Sequence, residues 1–68
     1  MRPTFILAGI SSRYEDYQKN NPRRTLKEFV KNEIDLHHTG LIFLKKFLVE
    51  HLHLPPLQAI RLLAQCSI

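Results

Sequence analysis

The sequence predicts a mainly α-helical fold, a small bundle of three to four short helices in a single domain over residues 1–68. Three observations lead to this prediction. Apolar residues recur every three or four positions along most of the chain, which is the spacing of amphipathic helices. A Ser or Thr is followed three residues later by Glu at two places, the pattern of a helix-capping box. The cluster of Asn20, Asn21 and Pro22 and the pair Pro55 and Pro56 interrupt the chain and leave helix-length segments between them.

The first eleven residues carry the weakest periodic signal. The apolar residues between positions 5 and 10 suit a short strand, but they do not alternate strictly with polar ones. Residues 1–11 are therefore predicted as a strand or an apolar arm, with the first turns of a helix as a further alternative. Ser12 with Glu15 then predicts a capping box that opens a short helix over 12–21.

The polar run that contains Pro22 is the clearest break in the chain. A helix does not easily continue into a proline, so this run is predicted to be a loop. Thr25 follows it, and Glu28 stands three residues further on as in a second capping box. These residues predict a helix over 25–36.

The end of this second helix is open to two interpretations. The apolar spacing continues without interruption from Leu26 to Leu52, which suits one long helix. Thr39 and Gly40 are weak helix formers and are typical of a stop followed by a new start. We favour two helices with a tight bend at 38–40.

The most apolar part of the chain begins after this bend. It predicts a central helix over 40–53, with apolar residues on two sides. Pro55 forbids the continuation of that helix, and Pro56 fits the first turn of the next one, where no amide donor is missed. The last helix is predicted over 56–67, with apolar residues around most of its circumference.

Residues 41–68 contain seventeen apolar side chains, more than one packing contact per helix can hide. The other segments are short, and an exposed patch beyond a few hundred Å² is uncommon on a monomer. We therefore expect a homodimer with a self-complementary interface. The alternative is a compact monomer with a mostly leucine core. The dimer or core seam is expected at Ile42, Val49, Leu62 and Cys66.

No catalytic, metal or cofactor site is expected. Cys66 is the single cysteine and lies on an apolar helix, where a thiol stays protonated and unreactive. The spacing of the four histidines does not suit zinc, which needs ligands converging from one face. The chain has two glycines and no phosphate-binding loop, and it is too short for a deep pocket. These histidines are His37, His38, His51 and His53.

A cluster of cations is the strongest functional signal. The chain has ten Lys and Arg against six Asp and Glu, for a net charge of +4. Cations at the start of a helix oppose the helix dipole, so they do not serve helix stability, and the helix start is itself suited to anions. A solvated loop without a binding role is the alternative. The predicted basic face consists of Arg13, Lys19, Arg23, Arg24, Lys27 and Lys31.

From these features we expect a non-enzymatic regulatory or inhibitor protein that acts by protein–protein binding as a homodimer. Its expected partner is a larger acidic protein, bound through the basic face and through exposed aromatic residues such as Tyr14 and Tyr17. The alternative is a DNA-binding transcriptional regulator that uses the basic face between Arg23 and Lys31, so nucleic acid is the second candidate partner. No apolar run is long enough to span a bilayer, and the start of the chain is not typical of a signal peptide. We expect no membrane partner and a location in the cytoplasm or in the interior of a host cell.

Overall fold

The computed structural model describes residues 3–67 and confirms the small helical bundle. The helices are α1 (Pro3–Asn20), α2 (Leu26–Asp35), α3 (Leu41–Lys46) and α4 (Pro56–Cys66). A π-helical turn, Phe47–His51, continues directly from α3. Residues 3–67 contain no strand.

The N-terminal segment is helical rather than extended. α1 is one helix of 18 residues, and it replaces both the predicted strand or arm and the predicted short helix. Ser12 lies inside α1 and does not cap a helix. The part of the predicted arm at residues 1 and 2 lies outside the described residues. Burial explains the continuity, because Ile10 is fully buried and Ile6, Tyr14 and Tyr17 pack on the same core at helical spacing. Leu7 packs on the core as well, and a strand would place the neighbouring Ile6 and Leu7 on opposite faces.

α2 begins as the capping pattern predicts. The Thr25 side chain accepts a hydrogen bond from the amide of Glu28 at 3.3 Å. The Glu28 carboxylate lies 3.6 Å from Arg24 instead of reaching back to the Thr25 amide. α2 ends at Asp35, and the chain bends before α3, so the two-helix interpretation is the one observed. His38 takes a positive φ of 52° in this bend.

The predicted central helix is shorter and less regular than expected. α3 gives way at Phe47 to the π-helical turn, in which the Leu52 amide donates to the Phe47 carbonyl at 3.2 Å. The wider turn accompanies two consecutive side chains in the core, Phe47 and Leu48, both almost completely buried. His53, with a φ of 58°, then ends the segment, and the Leu54 amide donates to the Leu48 carbonyl at 3.0 Å.

The core lies where all four helices meet. Tyr14 and Phe29 pack edge to face with ring centroids 5.0 Å apart, and Tyr14 meets Phe47 in the same way at 5.5 Å. The radius of gyration of 11.1 Å agrees with the value of about 11 Å expected for a compact chain of this length. α1 therefore supplies cover that the short N-terminal elements of the sequence prediction lacked. The buried apolar residues are Ile10, Phe29, Val30, Leu44, Phe47, Leu48, Ala59, Leu63 and Cys66.

Candidate protein-binding surface

Large apolar side chains remain exposed where α3 and α4 lie side by side. Ile42 is 74% exposed, Leu41 46% and Ile60 48%. They line two shallow grooves of about 370 and 400 Å³ that share Ile42 and Lys45 and therefore form one surface. We call this surface the α3–α4 face. It comprises the apolar residues Leu41, Ile42, Val49, Pro56 and Ile60 and the charged residues Lys45, Lys46 and Glu50.

This face exists because both helices carry a second apolar line beside the one that packs in the core. On α4 the core line includes Ala59 and Leu63, and Ile60 follows Ala59 by about 100° around the helix. On α3 the core line begins at Leu44, while Ile42 is turned to the outside. The helical periodicity that predicts apolar residues on two sides is thus realised, but only one of the two sides is covered within the chain.

The structure divides the predicted seam into two parts. Ile42 and Val49 line the α3–α4 face. Cys66 is buried in the core, and Leu62 packs against the core and lines neither groove, so neither contributes to that face. Val49 also packs partly against the core. The Cys66 thiol lies 3.5 Å from the Lys27 carbonyl oxygen. Burial raises the pKa of the Cys66 thiol above its ordinary value, and nearby Lys27 opposes this effect.

The charged residues of the α3–α4 face are exposed. Lys45 and Lys46 end α3, and Glu50 lies one turn further on in the π-helical turn. None of the ion pairs within residues 3–67 involves Lys45, Lys46 or Glu50. The face therefore combines an apolar surface with unpaired charges of both signs.

Four of the six residues of the predicted basic face lie in or next to the first turns of α2 and are exposed. Arg24 forms an exposed ion pair with Glu28, which reduces its charge toward a partner. Lys19 is exposed near the end of α1. We call the remaining group at the start of α2 the basic segment, consisting of Arg23, Arg24, Lys27 and Lys31.

Arg13 does not belong to this segment. Its Nε and Nη2 atoms each donate to the Glu33 carboxylate at 2.8 Å, near the opposite end of α2. The Thr39 hydroxyl donates to the same carboxylate at 3.1 Å. Glu33 is only 1% exposed, and its hydrogen bonding raises the pKa of the Arg13 guanidinium. Arg13 therefore joins α1 to α2 and to the bend before α3, a structural role that sequence analysis missed.

The two tyrosines that the sequence suggests as exposed binding residues are packed instead. Tyr17 contacts Phe29 with ring centroids 5.4 Å apart, and Tyr14 contacts both Phe29 and Phe47. The Tyr17 hydroxyl also donates to the Thr25 carbonyl at 3.3 Å. Removal from water raises the pKa of Tyr17 above its ordinary value, and the nearby Glu28 carboxylate adds a smaller effect in the same direction. Both side chains stabilise the contact of α1 with α2.

Residues 3–67 contain no group of three or more His, Cys, Asp or Glu side chains placed to hold a metal ion. None of the helices described there has the length and apolar character needed to cross a membrane. No family model, curated protein or solved structure matches the chain. The α3–α4 face and the basic segment are the candidate binding surfaces of the chain.

Proposed function

We propose that this protein is a small non-enzymatic regulator that acts by protein–protein binding as a homodimer. The observation that carries the proposal is the α3–α4 face, on which Leu41, Ile42 and Ile60 are exposed side by side. Complete burial of a large apolar side chain stabilises a protein or complex by about 1.5–3 kcal/mol. Covering this face with another protein surface is therefore favourable.

A second copy is the simplest cover, because most small oligomers are twofold dimers in which the same patch meets itself. The test is the mass in solution by sedimentation equilibrium. We expect the mass of two chains for the natural protein and of one chain for Ile42→Glu. Leu36→Glu is the matched control, since Leu36 is 69% exposed but lies away from the α3–α4 face, and it should remain dimeric. A natural protein that stays monomeric at its highest soluble concentration contradicts the homodimer.

The basic segment supports an acidic protein as the regulated partner. Arg23 and Lys27 are exposed cations at or near the start of α2, where a positive charge is unfavourable for the helix itself, and Lys31 is an exposed cation one turn further on. We expect Arg23→Glu with Lys27→Glu to abolish capture of the partner from the native cell and to leave the helical circular dichroism unchanged. Arg61→Glu, an exposed charge reversal on α4, is the control and should leave capture intact. Capture that survives the double reversal would exclude the basic segment.

DNA binding through the basic segment is the second candidate function, and a polar strip on α4 is a further surface for contact with DNA. Gln58, Arg61 and Gln65 are exposed and follow one another at helical spacing. Glutamine and arginine are residue types that contact base edges. The discriminating experiment is a gel shift with random duplex DNA at increasing salt. Binding to phosphates should weaken linearly in log–log form as counterions are released, and the absence of a complex at low salt would remove this candidate.

A further inference from the structure

The unpaired charges of the α3–α4 face lie close together in the sequence, between Lys45 and Glu50. Lys46 and Glu50 are four residues apart, a spacing at which opposite charges commonly pair on a regular α-helix. The π-helical turn begins between them, and in residues 3–67 they form no ion pair with each other. Val49 lies between them in the chain and lines the groove together with both. An apolar contact centred on Val49 would therefore bring both signs of charge into the interface.

We propose that the α3–α4 face binds a second copy of this chain in an antiparallel register, in which Lys45 and Lys46 of each copy pair with Glu50 of the other. The inference rests on the proposed homodimer and adds its register. In a twofold interface every contact between two different residues occurs twice, so each Glu50 lies opposite the lysine pair of the other copy, and the six charges, which sum to +2, repel one another less than in other registers. A register with the lysines of the two copies opposite one another would instead collect four cations at the axis.

The presence of both signs of charge favours a second copy over an occupant that carries one sign or no charge. A purely acidic segment would pair with Lys45 and Lys46 but would repel Glu50, and a basic segment would do the reverse. An uncharged apolar segment would take these charges out of water without a partner, which is costly. The chain itself offers an apolar surface of matching character together with both signs of charge at fixed spacing.

Charge reversal tests whether these charges face each other across the interface, and the effect of Glu50→Lys alone tests the register, because a register with Glu50 opposite Glu50 would only exchange one like-charge contact for another. We expect Glu50→Lys alone, and Lys45→Glu with Lys46→Glu in one chain, each to weaken self-association by about tenfold or more, because like charges then face each other. When the two variants are mixed, the charges become complementary again. Native mass spectrometry should then detect mainly the mixed dimer. Glu15→Lys and Lys19→Glu are the matched controls, since both residues are exposed on α1 away from the α3–α4 face, and their mixture should show no such preference.

Two negative results have different meanings. If the natural protein is monomeric at its highest soluble concentration, the homodimer and its register both fail. If the natural protein is a dimer but the reversals leave its dissociation constant unchanged and the mixture forms no excess of mixed dimer, the register alone is wrong. Circular dichroism of each variant establishes that it is folded before its mass is interpreted.

Discussion

One buried carboxylate has a large structural role at the scale of single residues. Glu33 accepts two hydrogen bonds from Arg13 and one from Thr39, and its side chain is almost completely removed from water. A buried charge is tolerated when its hydrogen bonds are satisfied, and removal of its partner is strongly destabilising. This pair therefore defines how α1 lies against α2 and against the following bend.

Arg13→Met should destabilise the protein although it keeps most of the apolar length of the side chain. We expect a loss of about 2 kcal/mol in the free energy of unfolding, below the ~3–5 kcal/mol of fully buried pairs because the Arg13 side chain is 37% exposed. Urea unfolding measures the loss. Arg23→Met, at an exposed cation outside any ion pair in residues 3–67, is the control and should stay within about 0.5 kcal/mol of the natural protein. Equal effects of the two substitutions would contradict the structural role of Arg13.

His53→Gly should stabilise the protein. His53 has a φ of 58°, and the left-handed conformation costs a residue with a Cβ roughly 1–2 kcal/mol that glycine does not pay. Part of the gain is lost to the greater freedom of glycine in the unfolded chain, so we expect a net increase of about 0.5–1 kcal/mol in the free energy of unfolding. His51→Gly is the control, because His51 has a negative φ and stacks on Phe47. His51→Gly should lower the free energy of unfolding. If His51→Gly were instead the more stable of the two variants, the helix end at His53 would be contradicted.

At the scale of the elements, α1 shows how a local signal is overridden. Ser12 and Glu15 have the spacing of a capping box, but Ile6 and Ile10 precede them on the core side of the same helix. Burial of that earlier turn outweighs the preference of Ser12 for a helix start. At Thr25 no such competition exists, because the preceding loop contains Pro22, and the same pattern does begin a helix.

The pair Thr25→Ala and Ser12→Ala tests this difference. Thr25→Ala removes the hydrogen bond to the Glu28 amide and should cost about 1 kcal/mol in the free energy of unfolding. Ser12→Ala replaces an exposed serine inside α1, and alanine is the better helix former, so we expect no loss or a gain of a few tenths of a kcal/mol. Thermal unfolding followed by circular dichroism compares the two. A loss at Ser12 as large as that at Thr25 would mean that a helix begins at Ser12 after all.

At the scale of the whole molecule, the core closes within one chain while the α3–α4 face stays open. Ile10 and the other buried residues come from α1, α2, α3, the π-helical turn and α4. Association is therefore not required to complete the core. The proposed dimer would instead cover a surface that the folded chain already presents.

The proposed dimer makes thermal stability depend on protein concentration. Association that occurs only in the folded state raises the midpoint of unfolding as concentration rises. We expect this rise for the natural protein and a constant midpoint for Ile42→Glu, which introduces a charge into the α3–α4 face. Differential scanning fluorimetry over a dilution series measures both. Identical behaviour of the two proteins would count against association through this face.

The sequence alone determines the features that depend on neighbours a few residues apart. The helical class follows from apolar spacing, the start of α2 from Thr25, and the start of α4 from Pro55 and Pro56. Each of these is a property of one turn of backbone, so the residues in that turn are sufficient to predict it. The second apolar line that includes Ile42 is predictable for the same reason.

The tertiary structure determines which of the two apolar lines on a helix is buried in the core and which is left exposed. Arg13 binds Glu33, which is twenty residues away in the sequence. Cys66 lies in the core, while Ile42 lies outside it. Such outcomes depend on which helices pack together, and periodicity within one helix does not contain that information. The sequence therefore predicts the helices and their apolar lines, while packing of α1 against the rest of the bundle determines what is left exposed for a partner.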